Sequence, residues 1–86
     1  MPHIVIEASK NVASEIDTAA MVEAAHHALA KELGEATRIK TRLIIAEEVV
    51  VGDDGLSGAM VHVTLLLLEG RDLDTKQQYS QAIYEA

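Results

Sequence analysis

Eighty-six residues carrying 14 acidic against 7 basic side chains, a formal net charge of −7, make one small acidic domain. That balance disfavours nucleic acid and an anionic membrane as partners, since both need a basic footprint, although a few converging cations can still hold an anion. There is no cysteine, which excludes a disulfide, a thiolate nucleophile and a thiolate metal site.

Tyr79 and Tyr84 are the only large aromatics, so the core must be built from Val, Ile, Leu, Ala and Met. A chain of this size buries a modest share of its surface, and with no disulfide available oligomerisation is the expected support. The start, Met1-Pro2-His3-Ile4, has no charged stretch followed by an apolar one and does not read as a signal peptide. The longest apolar run, near 61–68, is interrupted by His62 and Thr64 and is too short to span a bilayer. A cytoplasmic location is the expectation.

Residues 2–7 read as a strand: Ile4, Val5 and Ile6 are β-branched, and Pro2 sits where a strand can begin. Residues 8–16 read as a polar linker. Asp17 is a good N-cap, and Val22, Ala25, Leu29 and Leu33 after it fall at helical spacing until Gly34 stops the run. Residues 38–51 read as a long strand containing Ile39, Leu43, Ile44, Ile45 and the run Val49-Val50-Val51. Gly52-Asp53-Asp54-Gly55 and Ser57-Gly58 are turn chemistry. A further strand is expected over 59–68, and after Glu69-Gly70-Arg71-Asp72 a second helix capped by Asp74.

This order suggests an α+β fold made of a repeated β-α-β unit. His3-Ile4-Val5 and His62-Val63-Thr64 stand roughly 60 residues apart, and the same offset carries Asp17 into the second predicted helix. The first unit spans about 2–51 and the second begins at about 59, all in one domain over 1–86. The same offset carries the second predicted strand past Ala86, so the expectation is a C-terminally truncated second unit.

Pro2 is the first residue with chemical interest. Removal of the initiator methionine before a proline leaves a secondary amine at the chain terminus. Such a group titrates at about 7.7–8.0 in a peptide, and burial beside cations lowers that value by disfavouring the ammonium. The product is a neutral base suited to moving a proton from carbon to carbon. A chain that keeps Met1 holds Pro2 as a tertiary amide, which has no basicity.

The chain resembles the 5-carboxymethyl-2-hydroxymuconate delta-isomerases of the tautomerase superfamily. Four segments carry the likeness: Pro2-His3-Ile4-Val5-Ile6-Glu7, Ile39-Lys40-Thr41-Arg42, Val61-His62-Val63-Thr64-Leu65, and the run from Glu69-Gly70-Arg71-Asp72 to Gln78. The resemblance implies two pseudo-symmetric β-α-β units in a four-stranded mixed sheet with both helices on one face. It implies a homotrimer with the sheets facing inward, and family members that extend beyond the equivalent of Ala86. It implies a Pro2 amine that takes a proton from a dienol and returns it at a distant carbon. No metal or organic cofactor is implied. Arg71, in a Gly-Arg turn, matches the family's arginine and would grip a substrate carboxylate with its planar fork. Lys40 and Arg42 lie two apart on a strand and face one side, so either would supply the second cation. Lys40 stands where the family has arginine, which keeps the charge and loses the fork.

Other polar clusters read as structural. His26 and His27 with Glu23 lack the spacing of a metal site, because adjacent helical residues point to different faces. His3 and His62 flank the expected site as packing residues, and Glu47-Glu48 and Asp53-Asp54 are solvated strand-end and turn charges. The function expected is cofactor-free keto–enol tautomerisation of a small unsaturated 2-hydroxy acid. The alternatives are another tautomerase reaction on a 2-keto acid, or an inactive trimeric module of the same fold. Pro2 and Arg71 favour chemistry.

Overall fold

Alternation of Ile4, Ile6 and Ala8 with His3, Val5 and Glu7 gives a strand one face that must be buried. The computed structural model describes residues 2–67, and there β1 runs over His3–Ser9. Ile4, Ile6 and Ala8 are buried against the helical layer, while His3 and Val5 are half-buried and Glu7 is exposed on the opposite, open face. β1 is the central strand of a mixed three-stranded sheet in the order β2-β1-β3. β2, Lys40–Ala46, runs parallel to it, and β3, Val61–Leu66, antiparallel.

The parallel pair requires a crossover, supplied mainly by α2, Thr18–Leu33. Asp17 caps this helix, its carboxylate accepting from the Ala20 N–H at 3.0 Å. Gly34 ends it at φ 79°, a left-handed conformation open to glycine, with its N–H on the Ala30 carbonyl. Both ends therefore fall where the sequence places them. Ala25 and Leu29 are buried. Val22 and Leu33 are half-buried and pack at the edge of the cluster formed by Ile4, Ile6, Ala25, Leu29 and Ile39. The Asp17→Ala variant is expected to lose about 1 kcal/mol in urea unfolding, with Asp17→Asn close to wild type. Equal losses for both variants would show that the cap bond is not what the aspartate contributes.

Three expectations need correction. Residues 8–16 are not simply a linker: β1 continues through Ala8 and Ser9, and a one-turn helix α1 follows at Lys10–Ala13. Ala8 and Ser9 have strand partners in Ile45 and Ala46, so their backbone groups are satisfied by the ladder. The Ser9 side chain is buried in the same place, donating to Asn11 Oδ1 at 2.6 Å and accepting from the Met60 N–H at 3.1 Å.

The second strand is half as long as expected, and Val49-Val50-Val51 are not in it. β1 ends opposite Ala46, so residues beyond have no neighbouring strand to pair with. The chain closes on itself instead, with the Asp54 N–H on the Val51 carbonyl at 2.9 Å and a 3-10 segment, Gly52–Ser57, kinked at Gly55. Finally, β3 begins at Val61, opposite Ala8, two residues later than expected. The second predicted helix and Arg71 lie outside the described residues.

Candidate active site

β1 and β2 bring the start of the chain to the start of the second strand. Pro2 is buried, and its carbonyl accepts the Lys40 N–H at 3.1 Å, so the two strands are locked together at the residue carrying the expected base. Lys40 is the register partner of His3, and Arg42 that of Val5. Period-two alternation places His3, Val5, Lys40 and Arg42 on the open face. Both cations are exposed.

Arg42 does not extend freely into solvent. Its Nη1 donates to His3 Nδ1 at 3.2 Å, so the guanidinium turns back along the sheet toward the Pro2 end. β2 is in turn pinned to the helical layer by the contact of His26 Nδ1 with Thr41 Oγ1 at 2.7 Å. Thr41 lies between Lys40 and Arg42, so this bond sets the height at which both cations leave the sheet. Glu7 lies farther along the same face. Glu7 faces His62 at 3.9 Å, and Glu47 pairs with Lys10 at 3.3 Å at the far end of β2. Both pairs are solvated and contribute little to stability. On the open face, Lys40 and Arg42 stand at the Pro2 end, with Glu7 and His62 farther along.

Three of the four residues singled out in the sequence, Pro2, Lys40 and Arg42, thus meet at one end of the sheet, and Arg71 lies outside the described residues. His26 is half-buried on Thr41, while His27 is exposed and meets the His26 ring edge to face. Among the described residues no group of three His, Cys, Asp or Glu side chains is arranged to hold a metal ion. No helix among them is long and apolar enough to cross a membrane. Sequence reasoning missed the part played by His3. Its position beside Pro2 was visible, but only the strand register could show that Arg42 reaches it.

The arrangement can hold an anion next to a buried chain start. No curated protein matches the chain. Among solved structures, a 5-carboxymethyl-2-hydroxymuconate delta-isomerase superposes with a TM-score of 0.84 at 19% identity, covering 99% of this chain and 67% of that one. A 5-carboxymethyl-2-hydroxymuconate isomerase from Deinococcus radiodurans R1 gives 0.84 at 21% identity, covering 98% and 64%. The FG41 malonate semialdehyde decarboxylase inhibited by 3-bromopropiolate gives 0.70 at 26% identity, covering 95% and 67%. The chain therefore spans about two thirds of the length of these structures. The first two likenesses establish the tautomerase-like α+β fold. The model of the 5-carboxymethyl-2-hydroxymuconate isomerase family matches residues 2–86, Pro2 included, and the chain belongs to that family.

Proposed function

We propose that the protein is a cofactor-free, cytoplasmic isomerase that moves a proton within 5-carboxymethyl-2-hydroxymuconate or a similar unsaturated 2-hydroxy acid. The observation that carries this reading is Pro2, buried and tied to Lys40 at the end of the sheet where Arg42 also stands. Family membership supports the isomerase class. Freed of Met1, the Pro2 amine takes the proton from the 2-hydroxyl of the dienol. As the 2-oxygen becomes a carbonyl, the electron pair shifts along the conjugated chain. The protonated amine then delivers the proton to the far carbon, and the base is restored with no net change in protons. Arg42, Lys40 and Arg71 hold the substrate carboxylates and stabilise charge developing on the 2-oxygen.

The lysine at position 40 favours a second reading, tautomerisation of a simpler 2-keto acid. A point charge binds one carboxylate without the geometric selection of a guanidinium fork. Intact-mass measurement of the purified protein, followed by an ultraviolet assay of ketone formation from a 2-hydroxymuconate and from an enolised 2-keto acid, tests both readings. No turnover of either by Met1-free protein would leave only the inactive module.

The working form is a homotrimer with the open sheet faces turned inward. Ile44 and Leu66 on that face are about half exposed in the single chain, which leaves apolar surface for neighbouring copies to cover. Light scattering at micromolar concentration is expected to give three times the chain mass, and a monodisperse monomer would refute the assembly.

A further inference from the structure

We propose that His3 is a positioning residue: its ring holds the Arg42 guanidinium at the Pro2 end of the sheet, oriented for a substrate carboxylate. This rests on reading Arg42 as a carboxylate-binding cation, and adds the residue that makes it effective. Arg42 leaves β2 opposite Val5, yet its Nη1 lies 3.2 Å from Nδ1 of His3. A guanidinium can only donate, so Nδ1 presents its lone pair and the ring proton sits on Nε2. The imidazole is therefore neutral in this pairing.

That choice of partner has a chemical consequence. A carboxylate in the place of His3 would neutralise the arginine and compete with the substrate for its N–H groups. A neutral ring nitrogen occupies one N–H and leaves the charge whole, with the edge formed by Nε and Nη2 open to a bidentate grip. The ring is itself well placed to act as a rest. His3 is half-buried in the central strand, flanked in register by Lys40 on one side and Leu66 on the other. An unsupported arginine on an open sheet face must give up rotamer freedom when it binds, and prior ordering removes part of that cost. The charged groups sharing this face are Lys40 and Arg42 on β2, with Glu7 and His62 farther along.

The test uses cis,cis-muconate, an unsaturated dicarboxylate, titrated calorimetrically into Met1-free protein near neutral pH. His3→Leu is expected to raise its Kd roughly five- to tenfold, the scale of one hydrogen bond to a charged group. In turnover the same variant should raise KM by more than it lowers kcat. His3→Asn places an amide oxygen close to the position of Nδ1 and should recover most of the binding. Combined with Arg42→Met, His3→Leu should have no further effect, because the group it orients is gone. If leucine is not tolerated, His3→Ala serves the same purpose, with thermal melting to show that each variant is folded. Should Arg42→Met weaken muconate while His3→Leu costs as much with methionine at 42 as with arginine, the inference is overturned and the carboxylate site stands. Unchanged muconate binding in Arg42→Met would remove the cation's role, and the inference with it.

Discussion

Protein that keeps Met1 is expected to lose turnover by about 10²–10⁴-fold, the usual contribution of a positioned general base, relative to protein that begins at Pro2. The cause is chemical. Acylation makes the proline nitrogen a tertiary amide with no available lone pair, whatever its surroundings. In the processed chain, kcat/KM should rise with pH as the free ammonium gives up its proton. The midpoint should lie below the peptide range of about 7.7–8.0, because burial and the nearby cations both disfavour the charged form. The sign distinguishes this base from an acid: activity is present above the amine's pKa and lost below it. Pro2→Ala leaves a primary amine at the same place, so its rate should fall by less than that of the Met1-retaining form. Stopped-flow rates across pH on protein of defined N-terminal mass provide the check. Equal turnover with and without Met1 would show that the amine is not the base.

Leu29→Ala should cost about 2–5 kcal/mol of folding stability, the range for truncating a leucine in a packed core. Leu29 has no exposed surface and lies where α2 meets the central strand, among Ile4, Ile6, Ala25 and Ile39. No large aromatic side chain occurs in the described part of the fold, so little flanking bulk is available to relax into the cavity. With a total of roughly 5–15 kcal/mol for a native domain, such a loss is a large fraction of the whole. Leu56 provides the control: it is 72% exposed in the 3-10 segment, and Leu56→Ala should change stability by no more than about 0.5 kcal/mol. Urea midpoints must be compared at one protein concentration, because assembly of copies adds to apparent stability. Similar losses for the two variants would mean that α2 is not docked through Leu29.

Much of the fold was legible because it depends on local signals. α2 has both its cap and its stop written in the chain, and Asp17 and Gly34 act as their chemistry requires. The β1 strand shows through the β-branched run Ile4, Val5 and Ile6. Residues 49–51 show the limit of such signals. Three valines favour extended backbone, but a strand also needs a partner, and β1 ends opposite Ala46. Propensity describes a residue, whereas pairing depends on where another segment stops.

The sequence by itself determined the type of the main elements among the described residues, the acidic and cysteine-free character of the chain, and which residues, Pro2, Lys40, Arg42 and Arg71, are proposed to carry chemistry. It could not supply the order β2-β1-β3, in which strands adjacent in sequence are separated by the first strand in space. Nor could it place Arg42 on His3 or His26 on Thr41, contacts that span 39 and 15 residues. The physical reason is register. Shifting a strand by one residue turns every side chain to the other face, and its setting comes from the summed burial of Ile4, Ile6, Ala25, Leu29 and Ile39 rather than from any local motif. The candidate site is therefore chosen by the sequence and assembled by the core.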